Sequence, residues 1–337
     1  MVNIIIPVYN NKEILREGLF SLVNQTKRMF LVTLVDDCSE EDMSDVVEEF
    51  RKYLKIKYIR LDKNVGPGGA RQAGLDSVNE KFFDYVMFMD ADDKLYPRAT
   101  EILYREAKVN NADMVISNIE VEGRCGQKKL LLHDNNLTWT HGKIYRYKFL
   151  KDNNIRFCNL IKWNEDCTFN LECRHMTERV FYLDEFTYLW RDFSESVTRS
   201  KTDKYEFNIR CAEEYIIGQC YAMLRVLENS KISEEKKKEI IYSLKSIYMQ
   251  FQGSIKKMPQ IFEKSEKSIN ELLSNELFIE YFKDKKLVQN FISDLPGYIA
   301  INGYPTVPLE TITQWLDRYN DKRIKNILEG KDESGSN

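Results

Sequence analysis

Two kinds of hydrophobic pattern divide this chain. Up to about residue 120, short β-branched or aromatic runs alternate with stretches whose apolar residues recur every three to four positions. Val2–Val8 is a β-branched run typical of a central parallel strand, with Pro7 near its end where a missing N–H does little harm. Lys12–Asn24 carries Ile14, Leu15, Leu19, Leu22 and Val23 at helical spacing. Phe30–Val35 and Ile56–Leu61 predict two further strands, and Glu41–Tyr53 and Arg71–Val78 two further helices. Tyr85–Asp93 predicts a buried strand that ends in carboxylates, followed by a helix over Pro97–Asn110 and a strand over Asp113–Asn118. Strands alternating with helices in this way specify an α/β domain with a doubly wound, mostly parallel sheet.

Beyond that point the pattern loosens. Glu120–Asn136 is polar and predicts a hairpin or loop; Thr140–Ile144 and Tyr147–Asn153 predict a strand or turn and a short helix. Cys167–Thr177 predicts a helix, and Val180–Leu183 and Tyr188–Trp190 predict short strands. From about Asp203 the apolar residues recur at three to four throughout, in five stretches: Tyr205–Glu228, Ser233–Lys257, Pro259–Leu273, Asn275–Leu295 and Pro308–Leu328. The expected organisation is an α/β domain over 1–202, an α-helical C-terminal module over 203–330, and a disordered tail over 331–337. Substrate binding, oligomerisation and a scaffold for the first domain's flank are the readings open to the module.

Bulk composition narrows the class. With 43% hydrophobic and 31% charged residues in 337, the chain has the composition of a globular protein. A net charge of −3 gives no overall bias toward nucleic acid or an anionic membrane. Seven scattered cysteines without a Cys-x-x-Cys pair predict reduced thiols and a cytoplasmic setting. Met1 leads directly into a predicted strand without the pattern of a secretory leader, and no apolar run reaches the roughly 18–20 residues of a membrane span. Any membrane association is therefore expected to be peripheral.

Candidate chemistry gathers at three strand ends: Pro7–Asn10, Asp36–Ser39 and Asp90–Asp93. In a parallel sheet all three fall on one edge, where ligands of open α/β sheets bind. If the backbone stays extended, Asp90 and Asp92 share a face, and their repulsion calls for a cation. Hard divalent ions suit carboxylate and phosphate oxygens. The alternative is an acidic turn that caps the next helix. Gly66, Gly68 and Gly69 precede a predicted helix and could admit a phosphate, but the spacing is neither a GxxxxGK[ST] loop nor a GxGxxG fingerprint. Arg71 follows with a guanidinium suited to bidentate contact with a phosphate or a base edge.

Taken together, Ile4-Ile-Ile-Pro-Val-Tyr-Asn, Val35-Asp-Asp-Cys-Ser, Asn64-Val-Gly-Pro-Gly-Gly-Ala-Arg and Met89-Asp-Ala-Asp-Asp resemble the family 2 glycosyltransferases of the GT-A fold. Trp163-Asn-Glu-Asp-Cys-Thr-Phe resembles that family's acceptor motif. The resemblance covers about residues 1–200 and implies an inverting transferase that uses a nucleotide sugar, in particular a UDP-sugar, with Mn²⁺ or Mg²⁺. It implies that Pro7, Val8 and Tyr9 line the base and ribose, and that Asp36 or Asp37 accepts the uracil N–H. Arg71 would contact uracil or diphosphate, Asp90 the ribose, and Asp92 the metal; Asn10, Gly68 and Ala91 complete the donor set. Trp163 and Glu165 would stand on the acceptor side, with Asp166 as the general base. Trp190–Thr198 resembles the segment that many relatives fold over the diphosphate; it offers Arg191 toward the phosphates where relatives often place a histidine. Lone His141 and His175 are expected to be ordinary surface or core residues. The acceptor is a carbohydrate or another hydroxyl-bearing molecule. Two alternatives stand beside the transferase: a nucleotide-sugar-binding protein without transferase activity, and a nucleotidyltransferase of related fold.

Overall fold

A computed structural model of the chain describes residues 1–123, 127–133, 138–191, 204–255 and 263–283. By internal contacts the chain divides into two compact units, Met1–Lys201 and Thr202–Asn337.

The first unit is built on strands β1 (Val2–Val8), β2 (Phe30–Asp36), β3 (Ile56–Arg60) and β4 (Tyr85–Phe88). β1 pairs in parallel with β2 on one side and β4 on the other, and β2 pairs in parallel with β3. Ile4, Ile6, Val32, Leu34 and Met87 are buried in a core shared with the apolar faces of α1 (Lys12–Val23) and α2 (Ser44–Arg51). Strands buried on both faces have no polar side to show, which is why their sequence reads as unbroken apolar runs. Because β1, β2 and β4 are parallel, their C-terminal ends bring Pro7–Asn10, Asp36–Ser39 and Asp90–Asp93 to one edge.

The sheet then changes character. After the short β5 (Lys94–Leu95) and helix α4 (Ala99–Val109) come β6 (Met114–Glu122), β7 (Lys128–Leu131), β8 (Lys143–Arg146) and β9 (Val180–Arg191). β8 inserts antiparallel between β4 and β6, β7 forms a hairpin on β6, and β9 runs parallel to β6. The strand order is β3-β2-β1-β4-β8-β6-β9-β5, with β7 paired to β6. The sheet is thus mixed: a parallel half as the periodicity predicts, and a second half with antiparallel strands.

Several local expectations change. The predicted strand over Tyr85–Asp93 stops at Phe88, and Asp93 donates its N–H to the Asp90 carbonyl at 3.1 Å in a turn. The shared-face argument for Asp90 and Asp92 therefore does not apply. The glycine stretch is not a loop before a helix but the first turn of α3 (Gly66–Asp76), which opens with Gly66 at φ 81°. The two predicted short strands near 180–190 are one strand, β9, whose register with β6 shifts around Asn118. There Asn118 donates to Asp184 at 2.8 Å, so the irregularity absorbs the polar Asp184-Glu185 pair inside an otherwise apolar strand.

The remaining helices of this unit are α5 (Tyr147–Asp152) and α6 (Glu165–His175). In the second unit the described helices are α7 (Lys204–Glu228), α8 (Glu234–Ile241), α9 (Leu244–Ile255), α10 (Glu263–Leu273) and α11 (Glu276–Phe282). The single helix predicted over Ser233–Lys257 is broken between α8 and α9. Ile216, Cys220, Met223, Ile240, Ile247 and Ile269 are buried there. The predicted helix over Pro308–Leu328, the tail over 331–337 and the segment after Arg191 up to Thr198 lie outside the described residues. No helix among the described residues is long and apolar enough to cross a membrane.

Candidate active site

At the end of β1, Val8 is buried and Tyr9 is 48% exposed. Asn10 and Asn11 adopt φ of 59° and 66°, a conformation that asparagine tolerates better than most residues. The turn is held to the β2 end: Asn10 donates its N–H to Ser39 at 2.8 Å and accepts the Glu40 N–H at 2.8 Å.

The β2 end carries Asp36 and Asp37, both buried and both committed to the fold. Asp36 accepts the Ser39 N–H at 2.8 Å, the Tyr58 hydroxyl at 2.7 Å and the Arg60 guanidinium at 2.8 Å. Burial and the hydrogen bond to Asp36 push the Tyr58 phenol up to about 12. Asp37 accepts the N–H groups of Val65 and Gly66, each at 2.8 Å, and so satisfies the exposed donors at the start of α3. Burial raises the Asp37 carboxyl above its ordinary range, against the lowering effect of those two bonds.

The β4 end is a different environment. Arg71, on α3, is buried between two carboxylates: it donates to Asp90 at 2.6 Å and to Glu165, at the start of α6, at 2.7 Å. Burial alone would lower its pKa; Asp90, Glu165 and Asp166 outweigh it and hold the guanidinium charged. Burial likewise opposes ionisation of Asp90, but Arg71 and His141 overcome it and keep that carboxyl well below the usual range. Glu165 goes the other way, to about 7, because burial and neighbouring Asp166 exceed the pull of Arg71. Gly68 makes this pairing sterically feasible. A Cβ there would lie 2.6 Å from the Glu165 Cγ, so the glycine predicted as a phosphate contact is the surface on which Glu165 rests.

The acidic turn after β4 is fixed from three directions. Gly18 lets α1 approach it, since a Cβ at that position would meet the Ala91 carbonyl oxygen at 2.7 Å. Tyr188 on β9 accepts the Asp90 N–H at 3.1 Å and donates to Asp93 at 2.6 Å. Arg191 gives its N–H to Asp93 at 2.9 Å and its Nε to the Asp92 carbonyl at 2.7 Å, and pairs with Glu17 at 2.6 Å. The guanidinium predicted to reach phosphates thus braces the turn from beneath. Asp93 is buried and burial drives its pKa up to about 8.

His141, on the turn before β8, is also here. Its Nε2 lies 3.0 Å from Asp90 and 3.9 Å from Asp93, and its ring stacks on Tyr188 with centroids 4.8 Å apart. Burial would lower its pKa; Asp90 and Asp93 raise it overall. His141 is buried, as expected of a core residue, but its place beside Asp90 and Asp93 was not legible in the sequence. A single histidine has no spacing signature, and the residues that give it a role come from β4 and β9. Tyr188 was missed for the same reason: within an apolar strand it reads as core. His175 does behave as expected, with Nδ1 2.9 Å from the Leu171 carbonyl on its own helix.

The donor atoms of Asp90, Asp93 and His141 lie within 4.8 Å of one another and could hold a metal ion. Their chemistry favours a fourth residue. Both Asp90 oxygens are taken by Arg71 and His141, and both Asp93 oxygens by Tyr188 and Arg191. Asp92 is half-buried, and its carboxylate accepts no hydrogen bond from another described residue. Burial and then Asp90 raise its pKa, so a cation beside it would relieve uncompensated charge. Asp166 resembles Asp92. Among the described residues it accepts only the adjacent Cys167 N–H, at 2.7 Å, and burial raises its pKa. Trp163, just before α6, is half-buried with Lys162 over its ring at 5.5 Å.

A parallel β–α half that ends in an acidic turn, extended by a mixed sheet and by helix α6, whose first turn carries a second acidic pair, defines the GT-A class of fold. Residues 3–161 match the family described as Glycosyl transferase family 2, and this domain belongs to that family. The poly(ribitol-phosphate) beta-glucosyltransferase of Bacillus spizizenii is 27% identical over 202 residues, covering 56% of this chain and 32% of that protein. Poly(ribitol-phosphate) beta-N-acetylglucosaminyltransferase TarP of Staphylococcus aureus is 30% identical over 189 residues, covering 51% of this chain and 56% of that one. The matched region thus spans 32% to 56% of these relatives' own length. The crystal structure of S. aureus TarS 1-349 in complex with UDP-GlcNAc superposes with a TM-score of 0.64 at 21% identity, covering 98% of this chain and 90% of that one. A Pyrobaculum calidifontis mannosyltransferase in complex with GDP-Man and Mn²⁺ superposes with a TM-score of 0.53 at 14% identity, covering 90% and 84%.

Proposed function

We propose that this chain is an inverting glycosyltransferase that moves a sugar from a UDP-sugar to an acceptor hydroxyl, assisted by Mn²⁺ or Mg²⁺. One observation carries the reading. A single buried guanidinium, Arg71, neutralises the inner carboxylates Asp90 and Glu165, while the outer ones, Asp92 and Asp166, stay out of any ion pair among the described residues. The two free carboxylates have the two properties that transfer requires: one can face a cation, the other an acceptor proton.

Asp92 is the residue that would hold the metal, and a site with one protein carboxylate suits an ion whose other positions go to phosphate and water. When bound, such an ion neutralises charge developing on a diphosphate leaving group. Asp166 takes the acceptor hydroxyl proton as general base, and its raised pKa makes it a stronger base than an ordinary aspartate. Attack from the Asp166 side, opposite the leaving group, inverts the anomeric carbon. Tyr9 offers an exposed ring for the base. Asp37 suits the uracil N–H better than Asp36, because both Asp37 oxygens accept one N–H and keep a lone pair, whereas in Asp36 only Oδ1 does and Oδ2 already takes two donors. UDP-GlcNAc in the TarS fragment supports a UDP-sugar donor. The names of the relatives support a polyol-phosphate polymer as acceptor. A bystander nucleotide-sugar-binding protein would not need an unpaired carboxylate at Asp166. The test is release of UDP from UDP-GlcNAc or UDP-glucose with Mn²⁺, with and without a poly(ribitol phosphate) acceptor. Metal-dependent UDP release that the acceptor stimulates is expected; absence of both UDP release and UDP binding refutes the reading.

A further inference from the structure

The turn over 138–142 brings His141 to Asp90 and Trp139 to within 5.1 Å of the Trp190 ring. Its ends are anchored by neutral groups. Asn170 on α6 donates to the Thr138 carbonyl at 2.7 Å, and Ser117 on β6 donates to the Gly142 carbonyl through its N–H at 2.9 Å and its hydroxyl at 2.8 Å. The middle of the turn is held by another group. Lys143, the first residue of β8, has a fully buried side chain, and its amino group folds back to donate to the carbonyls of Trp139 and His141. A lysine is almost never fully buried without strong compensation, because desolvating an ammonium is costly. Here burial drives the Lys143 pKa well below its ordinary value, Asp166 offsets only part of that shift, and the two carbonyls of one turn give the buried amine's N–H groups acceptors.

We propose that Lys143 is a positioning residue for glycosyl transfer: its terminal amino group closes the 138–142 turn from inside and thereby holds His141 against Asp90 and the turn against the Asp166 side of the site. The inference rests on the glycosyl-transfer reading for its effect on rate, but not for its effect on geometry. Lys143 touches neither donor nor acceptor in this role. It acts through the turn, whose ends stay anchored when the lysine is lost. The expected defect is local: donor binding at the β1 and β2 ends survives, while alignment of the two acidic groups does not.

Lys143→Met keeps the length of the side chain and removes every N–H donor. Calorimetry should give a UDP affinity within about threefold of wild type, and kcat for transfer should fall about 10²-fold, the size of effect that a displacement of about 1 Å produces. The chain has only three histidines, so imidazole NMR signals at one fixed pH report the turn directly. His141 should shift in Lys143→Met while His133 and His175 stay in place. Lys143→Gln, which keeps a donor for one carbonyl, should lie between wild type and Lys143→Met in both readouts, and serves if the methionine variant does not fold. An unshifted His141 signal in either folded variant overturns the proposal, as does a loss of UDP affinity that matches the loss of kcat. The NMR readout needs no activity. A wild-type protein that releases no UDP would count against the glycosyl-transfer reading, and the His141 signal would still decide the role of Lys143.

Discussion

The ends of β2 and β4 invite comparison. Both strands run parallel to β1, both end at the same edge, and both lead into consecutive acidic residues. At the β2 end the carboxylates are tied into the fold, with one lone pair left on each Asp37 oxygen: five donors from the backbone, Tyr58 and Arg60 converge on Asp36 and Asp37. At the β4 end there are more acids than donors. Arg71, Tyr188 and Arg191 satisfy Asp90, Asp93 and Glu165, and Asp92 and Asp166 are left over. The same residue types at the same edge are held by many donors in one place and by few in the other. What separates them is the number of donors that the rest of the fold brings within reach.

The largest expected effect falls on the leftover base. Asp166→Asn is nearly isosteric and should lower turnover about 10²–10⁴-fold, with UDP affinity within about threefold of wild type by calorimetry. Turnover within about threefold of wild type would remove Asp166 from that role. Gly68→Ala attacks the pairing that creates the imbalance. Its Cβ would meet Glu165 at 2.6 Å, an overpacking worth about 1–3 kcal/mol. Thermal unfolding should show the loss of stability, and turnover should fall with it because Glu165 is forced off Arg71. A variant as stable and active as wild type would mean that the α3–α6 approach is not critical.

Asp36→Asn tests the structural end. Leaving its donors short of an acceptor should cost about 1–3 kcal/mol, toward the low end because Arg60 is 44% exposed and recovers water. Turnover measured well below the melting temperature should stay within about threefold of wild type. A large loss of rate with unchanged stability would make the two ends alike after all.

The smallest effect is on pH dependence. Glu165 at about 7 and Asp93 at about 8 both lie above the ordinary carboxylate range in the folded protein. Between about pH 4 and those values the folded state holds protons that the unfolded state has lost, so the stability they contribute falls as pH rises. Metal-free protein should therefore melt at a lower temperature at about pH 8 than at about pH 6. A melting temperature that rises over that interval contradicts the assigned direction of the shifts.

Sequence patterning made the parallel half legible because strands buried on both faces leave an unambiguous apolar run; Asp36, Asp37, Asp90 and Asp92 stood out as polar residues at the ends of such runs and Arg71 beside a glycine turn, whereas Glu165 and Asp166 were legible only through the resemblance to the family's acceptor motif. The boundary at Phe88 was not legible. Met89 is as apolar and as buried as the strand before it, so hydrophobicity cannot mark where the ladder stops. Nor was the difference between the β2 and β4 ends. It depends on Tyr58, Tyr188, Arg191 and His141, each of which reads alone as ordinary strand or loop chemistry. Gly68 misled in an instructive way: a glycine at a helix start suggests room for a ligand, and here the room is filled by Glu165.

The claim at the centre of this account is that Asp92 and Asp166 are left free for separate tasks by Arg71. Calorimetric titration of UDP with and without Mn²⁺ into wild type, Asp92→Asn and Asp166→Asn tests it most directly. The account predicts Mn²⁺-enhanced UDP binding by wild type and Asp166→Asn, and no enhancement in Asp92→Asn. Equal enhancement in all three proteins, or its loss in Asp166→Asn alone, would contradict it.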